Sequence, residues 1–198
     1  TTTFYMTTGL VVPNSGKIFL NEQEITKYPV YRRAQAGIGY LAQEASVFRK
    51  MTVEDNIKAV LEMTKFTKEY QREKLEQLIA EFRLEHVRKN IGDRLSGGER
   101  RRCEIARCLA IEPDFVMLDE PFAGIDPIAV ADIKNVIRLL AKRGIGVLIT
   151  DHNVRDTLEI TDRAIIINKG TIILQGPKEQ ILESELARQV YLGEDFSM

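Results

Sequence analysis

Two almost uninterrupted apolar runs, at 115–118 and 146–149, constrain what this chain can become more than any other feature. A strand with one wet face alternates apolar and polar side chains. An unbroken run belongs instead to a strand covered on both faces, the habit of parallel sheets sandwiched between helices. Both runs end at polar chemistry: Asp119-Glu120 follows the first and Thr150-Asp151-His152 the second. Shorter strand-like runs lie at 17–20, 38–41, 164–168 and 171–174, alternating with longer helical stretches, so the layout is α/β. Ligands of such sheets collect beyond the carboxyl ends of the strands, which directs attention to Asp119, Glu120, Asp151 and His152.

Residues 51–90 interrupt this alternation. They are charged and helix-forming, and within them 73–84 places Leu75, Leu78, Ile79 and Phe82 on one helical face, the pattern of a helical insert in a sheet domain. Asp126 followed by Pro127 predicts the capped start of a helix. Asn168-Lys169-Gly170 predicts a compact hairpin, and Gly176-Pro177 separates it from a last helical stretch. Ser15-Gly16-Lys17-Ile18 looks like the end of a phosphate loop, but it lacks the upstream glycine and has Ile after the Lys. It reads as a turn entering a strand.

Charge and apolarity narrow the partners. Against 28 Lys and Arg stand 29 Asp and Glu, a net charge of −1 that gives no electrostatic footprint for a polyphosphate backbone. No apolar run approaches the roughly 18 residues needed to cross a bilayer. Residues 1–9 lack the basic start and cleavage site of a signal peptide, so the chain is expected neither to span a membrane nor to be secreted. Cys103 and Cys108 lie five apart in a helical segment, a spacing that suits neither a disulfide framework nor a zinc site and fits a reducing cytoplasm.

Four apolar residues followed by Asp119-Glu120 form a Walker B arrangement, in which the Asp helps to hold Mg²⁺ and the Glu orients or deprotonates a water. The competing reading is a strand end whose acids cap the next turn. Leu95-Ser96-Gly97-Gly98-Glu99 precedes a helix running to about Leu109. Two glycines and a serine at a helix N-terminus make an anion cradle; the plainer reading is a loop with Glu99 as a capping residue. Arg100-Arg101-Arg102 reads as a solvated helix face. His152 follows a strand expected beside the one bearing Asp119 and Glu120, so its imidazole could donate to the same phosphate. Gln43, after the strand at 38–41, could contact Mg²⁺ or the attacking water, or be a plain surface glutamine.

Taken together, Gln43, Leu95 through Glu99, Asp119-Glu120, Ala123-Gly124-Ile125-Asp126 and His152 stand in the order and approximate spacing of the ATP-binding cassette family. They resemble its Q-loop, signature motif, Walker B, D-loop and H-loop, and the resemblance runs from Thr1 to about Gly176. It implies one nucleotide-binding domain over 1–198. Its RecA-like P-loop NTPase core and C-terminal extension would occupy 1–50 and 111–198, and a helical subdomain carrying the signature motif 51–110. It also implies that the sequence begins just after the phosphate-loop Lys, most of that loop lying upstream. Thr1 would then be a magnesium-binding hydroxyl and Thr2 a phosphate donor.

The same resemblance implies ATP and Mg²⁺ as ligands and a homodimer as the working form. Thr1, Thr2 and Asp119 of one copy would face Ser96, Gly97 and Gly98 of the other. Glu120 would position the water, His152 hold the γ-phosphate, Gln43 complete the Mg²⁺ shell and Asp126 cross the interface. Phe48 and Arg49 would meet a coupling helix of a transmembrane permease subunit, the plain alternative for Phe48 being core packing.

Within the family, the stretch from Tyr40 to Arg49 and the ending Val190-Tyr191-Leu192-Gly193-Glu194-Asp195-Phe196 are similar to the ATPase subunits of lipopolysaccharide exporters. That likeness implies a peripheral protein on the cytoplasmic face of the inner membrane. Ala42 departs from the pattern, in which a Pro often precedes the Gln. ATPase subunits of branched-chain amino-acid importers share most of these motifs. An SMC-type DNA-tethering head also has a signature motif and a Walker B, but such heads flank long coiled coils and no sustained heptads occur here.

Overall fold

The structure, a computed structural model, describes residues 1–187, and the distinctive ending at 190–196 lies outside the described residues. It divides into two compact units, Thr1–Thr150 and the part from Asp151 onward. The first contains α1 (Thr2–Thr8), the short hairpin β1 (Phe19–Leu20) and β2 (Gln23–Glu24), α2 (Val30–Gln35) and β3 (Ile38–Leu41). The helical stretch α3 (Val53–Leu61), α4 (Lys68–Glu81) and α5 (Gly97–Leu109) follows, then β4 (Phe115–Asp119), α6 (Pro127–Lys142) and β5 (Gly146–Thr150). The second unit holds α7 (Val154–Ile160), the hairpin β6 (Arg163–Asn168) and β7 (Thr171–Pro177), α8 (Lys178–Glu183) and α9 (Glu185–Ala187).

β3, β4 and β5 form a parallel sheet with β4 in the middle. Leu41 is opposite Leu118, and Asp119 is opposite Thr150, so the carboxyl ends of all three strands reach one edge together. Val116, Met117 and Leu118 are fully buried, as their unbroken apolar run requires. The expectation of full cover fails for β5. It is an edge strand among the described residues, its neighbours are half-buried and Leu148 is 39% exposed. On the α1 side Phe4, Ile25, Ile38 and Met117 make a core cluster with Tyr40 and Phe115 packed against it.

α1 is tied down by one buried guanidinium. Arg33 donates to the carbonyls of Met6, Thr7, Thr26 and Tyr28 at 2.7–2.8 Å, and so occupies orphan acceptors at the end of the helix. Gly9 closes α1 in the left-handed region at φ +88, where a Cβ would also press on Arg33. The turn at Lys169 and Gly170, φ +48 and +79, is the two-residue primed hairpin that Asn168-Lys169-Gly170 foretold.

Local signals build the helical stretch as the pattern predicts. Thr52 and Thr67 cap α3 and α4 by accepting from Asp55 N and Tyr70 N. Leu75, Leu78, Ile79 and Phe82 are all buried, each worth about 1.5–3 kcal/mol of transfer free energy. Charged groups tie its outer side. Arg88 takes both oxygens of Glu76 at 2.7 Å and reaches Glu54 at 2.8 Å, while Lys89 also donates to Glu54.

Hydrogen bonds from Arg88 first, then from Lys89, hold the Glu54 carboxyl down at about 2. A depressed folded value stabilises the native state above the ordinary carboxylate range, and that stabilisation is lost as pH falls through the folded value. Glu54→Gln is therefore expected to lower stability at pH 7, with the difference from the parent protein vanishing between about pH 4.5 and pH 2. Urea unfolding across that range is the measurement; a pH-independent difference would contradict it.

Candidate active site

Asp119 ends the central strand with its side chain out of solvent. A buried carboxylate needs donors, and three hydroxyls supply them. Thr150, directly opposite on β5, donates to Oδ1 at 2.5 Å; Thr1 Oγ1 donates to the same oxygen at 3.3 Å; Tyr40, on β3, donates to Oδ2 at 3.3 Å. Burial first, then the neighbouring Asp119 charge, push the Tyr40 phenol above its ordinary value, so it remains a donor. The sheet thus brings Thr1 and Asp119 together. Thr2 lies exposed in the first turn of α1.

Glu120 follows with φ +46, a left-handed backbone that costs a non-glycine residue on the order of 1 kcal/mol. Its N–H donates to Thr150 O at 2.7 Å. The side chain projects to Gln43, whose Nε2 donates to Glu120 Oε2 at 2.8 Å. Gln43 is exposed, and the loop after β3 carries its amide to the acid that follows β4.

The triple-arginine run is misread as a solvated face. Arg101 is only 6% exposed and donates to the carbonyls of Ala42, Asp119 and Glu120 at 2.9, 3.2 and 3.4 Å. It also pairs at 3.3 Å with the buried Glu104, whose Oε1 accepts from the N–H groups of Ser46 and Val47. Arg102 pairs with Asp132 of α6. The periodicity held the signal: Arg101, Glu104, Ile105 and Cys108 recur at helical spacing on one face of α5. Cys103 and Cys108 are free thiols that desolvation pushes up to about 12, far from the thiolate a metal would need.

Ser96 caps α5 in a complete capping box. Its hydroxyl accepts from Glu99 N, and Glu99 Oε2 accepts from Ser96 N and Oγ. These bonds, with one from His86 to the other oxygen, hold the Glu99 carboxyl below its ordinary value. The capping reading of this motif is thus correct for the single chain. Its glycines have packing reasons as well. A Cβ on Gly98 would stand 2.9 Å from the Ala129 Cβ of α6, and one on Gly97 3.4 Å from Gly124 O. Asp126 caps α6, accepting from the N–H groups of Ile128 and Ala129 at 3.0 Å, with Pro127 in the first turn.

Phe48 is not core: it is 46% exposed and lies under the Arg107 guanidinium at 4.3 Å. Its backbone is gripped by the buried Asn56, which accepts from Phe48 N and donates to the carbonyls of Phe48, Met51 and Thr52. Arg49 is solvent-facing and near Asp93. In the second unit His152 is exposed, with Nδ1 3.8 Å from the buried Asp151 carboxylate.

A family model described as ABC transporter matches residues 1–123. The chain belongs to the ABC transporter family. As such it is an ATP-hydrolysing enzyme. It is 55% identical to the lipopolysaccharide export system ATP-binding protein LptB of Haemophilus influenzae, covering all of this chain and 83% of that protein. With LptB of Escherichia coli K12 the identity is 51% over the same shares. A probable ABC transporter ATP-binding protein of Azorhizobium caulinodans is 57% identical, covering all of this chain and 70% of that protein. Among solved structures, MJ1267, an ATP-binding cassette of an ABC transporter, superposes with TM-score 0.85 at 25% identity, over 97% of this chain and 83% of that one. CbiO1 of Clostridium perfringens, part of the transporter complex CbiONQ, gives 0.82 at 26%, over 98% and 78%. A RecA-like α/β cassette is therefore the fold of this chain.

Arg101→Met removes one donor from each of three carbonyls and strands Glu104 as a buried charge without its cation. A loss of about 3 kcal/mol is expected in urea unfolding. Adding Glu104→Gln, which keeps the acceptor for Ser46 and Val47, should recover part of it, so the double variant costs less than the two single losses added together. Strict additivity would show that the pair is uncoupled.

Proposed function

We propose that this chain powers lipopolysaccharide export, hydrolysing ATP as a homodimer under transmembrane subunits of the LptF and LptG kind. The observation that carries the reading is the 55% identity, across the whole of this chain, with a lipopolysaccharide export ATP-binding protein. Cassettes of the family work as dimers with transmembrane partners. Among the described residues no helix is long and apolar enough to cross a membrane. In this reading, which rests on the likeness to LptB, the chain sits on the cytoplasmic face of the inner membrane, held by its partners through coupling helices that meet Phe48 and Arg49. The helical subdomain at 51–110 receives that contact.

Thr1 and Asp119 would hold Mg²⁺, with Gln43 completing its shell. Their oxygen donors suit a hard cation, and among the described residues no cluster of three His, Cys, Asp or Glu forms a protein-only cage. One carboxylate, a hydroxyl and substrate phosphates are the usual company of this ion. When bound, it neutralises charge developing between the β- and γ-phosphates.

This chain's own groups do the rest. Glu120, steadied by Gln43, orients the attacking water and accepts its proton. His152 donates to the γ-phosphate, and Thr2 gives a hydroxyl to the phosphates. Ser96, Gly97 and Gly98 of the second copy close the site from the other side, and Asp126 reaches across the joint. Most of the acceleration is positioning and charge stabilisation.

In the intact protein, Glu120→Gln is expected to keep ATP binding and cut turnover at least ~100-fold, the scale of a lost base; unchanged turnover would remove Glu120 from this role. Substrate identity has its own test. Co-expression with LptF- and LptG-like subunits should yield a stable complex, while branched-chain amino-acid permease subunits should not be retained, as read by affinity purification.

A further inference from the structure

Asp119 is held from both sides of its own sheet. A carboxylate on a short side chain has a broad torsion about Cβ–Cγ, so a single donor leaves its plane free to rock. Here each oxygen has a donor from a different flanking strand, Thr150 on Oδ1 and Tyr40 on Oδ2. Neither donor is loose. Thr150 is opposite Asp119 in the β4–β5 register, and the Tyr40 ring is wedged edge-on against Phe4, centroids 6.4 Å apart at 74°. The two grips are unequal. At 2.5 Å the Thr150 bond lies within the ordinary range for a hydroxyl on a carboxylate, and at 3.3 Å the Tyr40 bond is long.

We propose that Thr150 and Tyr40 are positioning residues that fix the plane of the Asp119 carboxylate for the divalent cation, Thr150 more strongly than Tyr40. The inference rests on the reading of Asp119 as a cation ligand. Solvating a buried carboxylate calls for donors on both oxygens, and Thr1 Oγ1 adds a second one on Oδ1 at 3.3 Å. A hydroxyl on each, from opposite strands, fixes orientation as well. Partners that orient metal ligands typically change metal affinity 10–100-fold when removed.

The test titrates Mn²⁺ into the intact, ADP-loaded protein and reads free Mn²⁺ by electron paramagnetic resonance, with thermal unfolding recorded for each variant. Thr150→Val is expected to weaken Mn²⁺ binding about 10-fold, Thr150→Ser to restore it, and Tyr40→Phe to cause a smaller loss in the same direction. ADP affinity without metal should not move in any of them. Asp119→Asn is the reference. If it weakens Mn²⁺ while Thr150→Val and Tyr40→Phe bind like the parent, or lose only thermal stability, the positioning proposal is overturned and the reading of Asp119 stands. If Asp119→Asn also binds like the parent, the cation reading itself falls.

Discussion

A guanidinium does not shed its proton inside a protein, so a buried one must find acceptors for its fork of donors. Arg101 finds them in the backbone carbonyls of Ala42, Asp119 and Glu120 and in the carboxylate of Glu104. These acceptors lie at the ends of two neighbouring strands and on α5 itself. The fork therefore joins the helix that opens at Ser96, the loop that opens at Ala42 and the acidic end of β4 into one piece. Gln43 is one residue past a carbonyl that Arg101 holds, and Glu120 owns another. The bond between their side chains goes with that placement, since a shorter or neutral residue at 101 would remove one donor from each of the three carbonyls, of which Glu120 O would keep Ala123 N.

In the proposed dimer the helix tip would serve two purposes. In the single chain the Ser96 oxygen accepts from Glu99 N while its proton goes to Glu99 Oε2. A hydroxyl is a rotor with separate donor and acceptor capacity. Turning its proton toward a phosphate of a second copy would leave the accepted bond, and hence the cap, in place. Glu99 Oε2 would still hold Ser96 N at 2.8 Å. The proposed cradle would therefore use the atoms of the observed cap, and the glycines at the tip also let α5 approach α6 at Ala129.

Much of this architecture was legible in the residues. Strands β3 and β5, the helix from Pro127, the primed hairpin and the buried face of α4 follow from apolar runs, turn chemistry and helical spacing, all of them local. The motif residues could be named from order and spacing. What stayed hidden is what depends on partners far along the chain. Arg101 looked solvated because charge runs are usually surface features, and only its acceptors 59 and 18 residues away explain its burial. Thr150 carried no motif and Tyr40 only opened a stretch of family likeness, and their placement on Asp119 appears only once parallel register sets three strand ends side by side. Leu148 sits in an apolar run, yet exposure is decided by neighbours in the sheet, which the run does not encode.

The loop from Gln43 to Thr52 bears on how a push from a membrane partner, in the proposed exporter, could reach Glu120. Its first half is fixed to α5, with Ser46 N and Val47 N on Glu104 and Ser46 O on Arg107; its second half is fixed to α3 through Asn56. Little backbone between Gln43 and Met51 is left to absorb a displacement. Phe48 and Arg49 stand outside this frame, exposed, while Gln43 sits at the other end with its amide on Glu120. A stiff strip loaded at one end moves at the other, whereas a slack one would dissipate the load in local bending. Within the proposed exporter, the buried polar groups Asn56, Glu104 and Arg101 are what make the strip stiff, and their position explains why the helical stretch would bury these polar side chains.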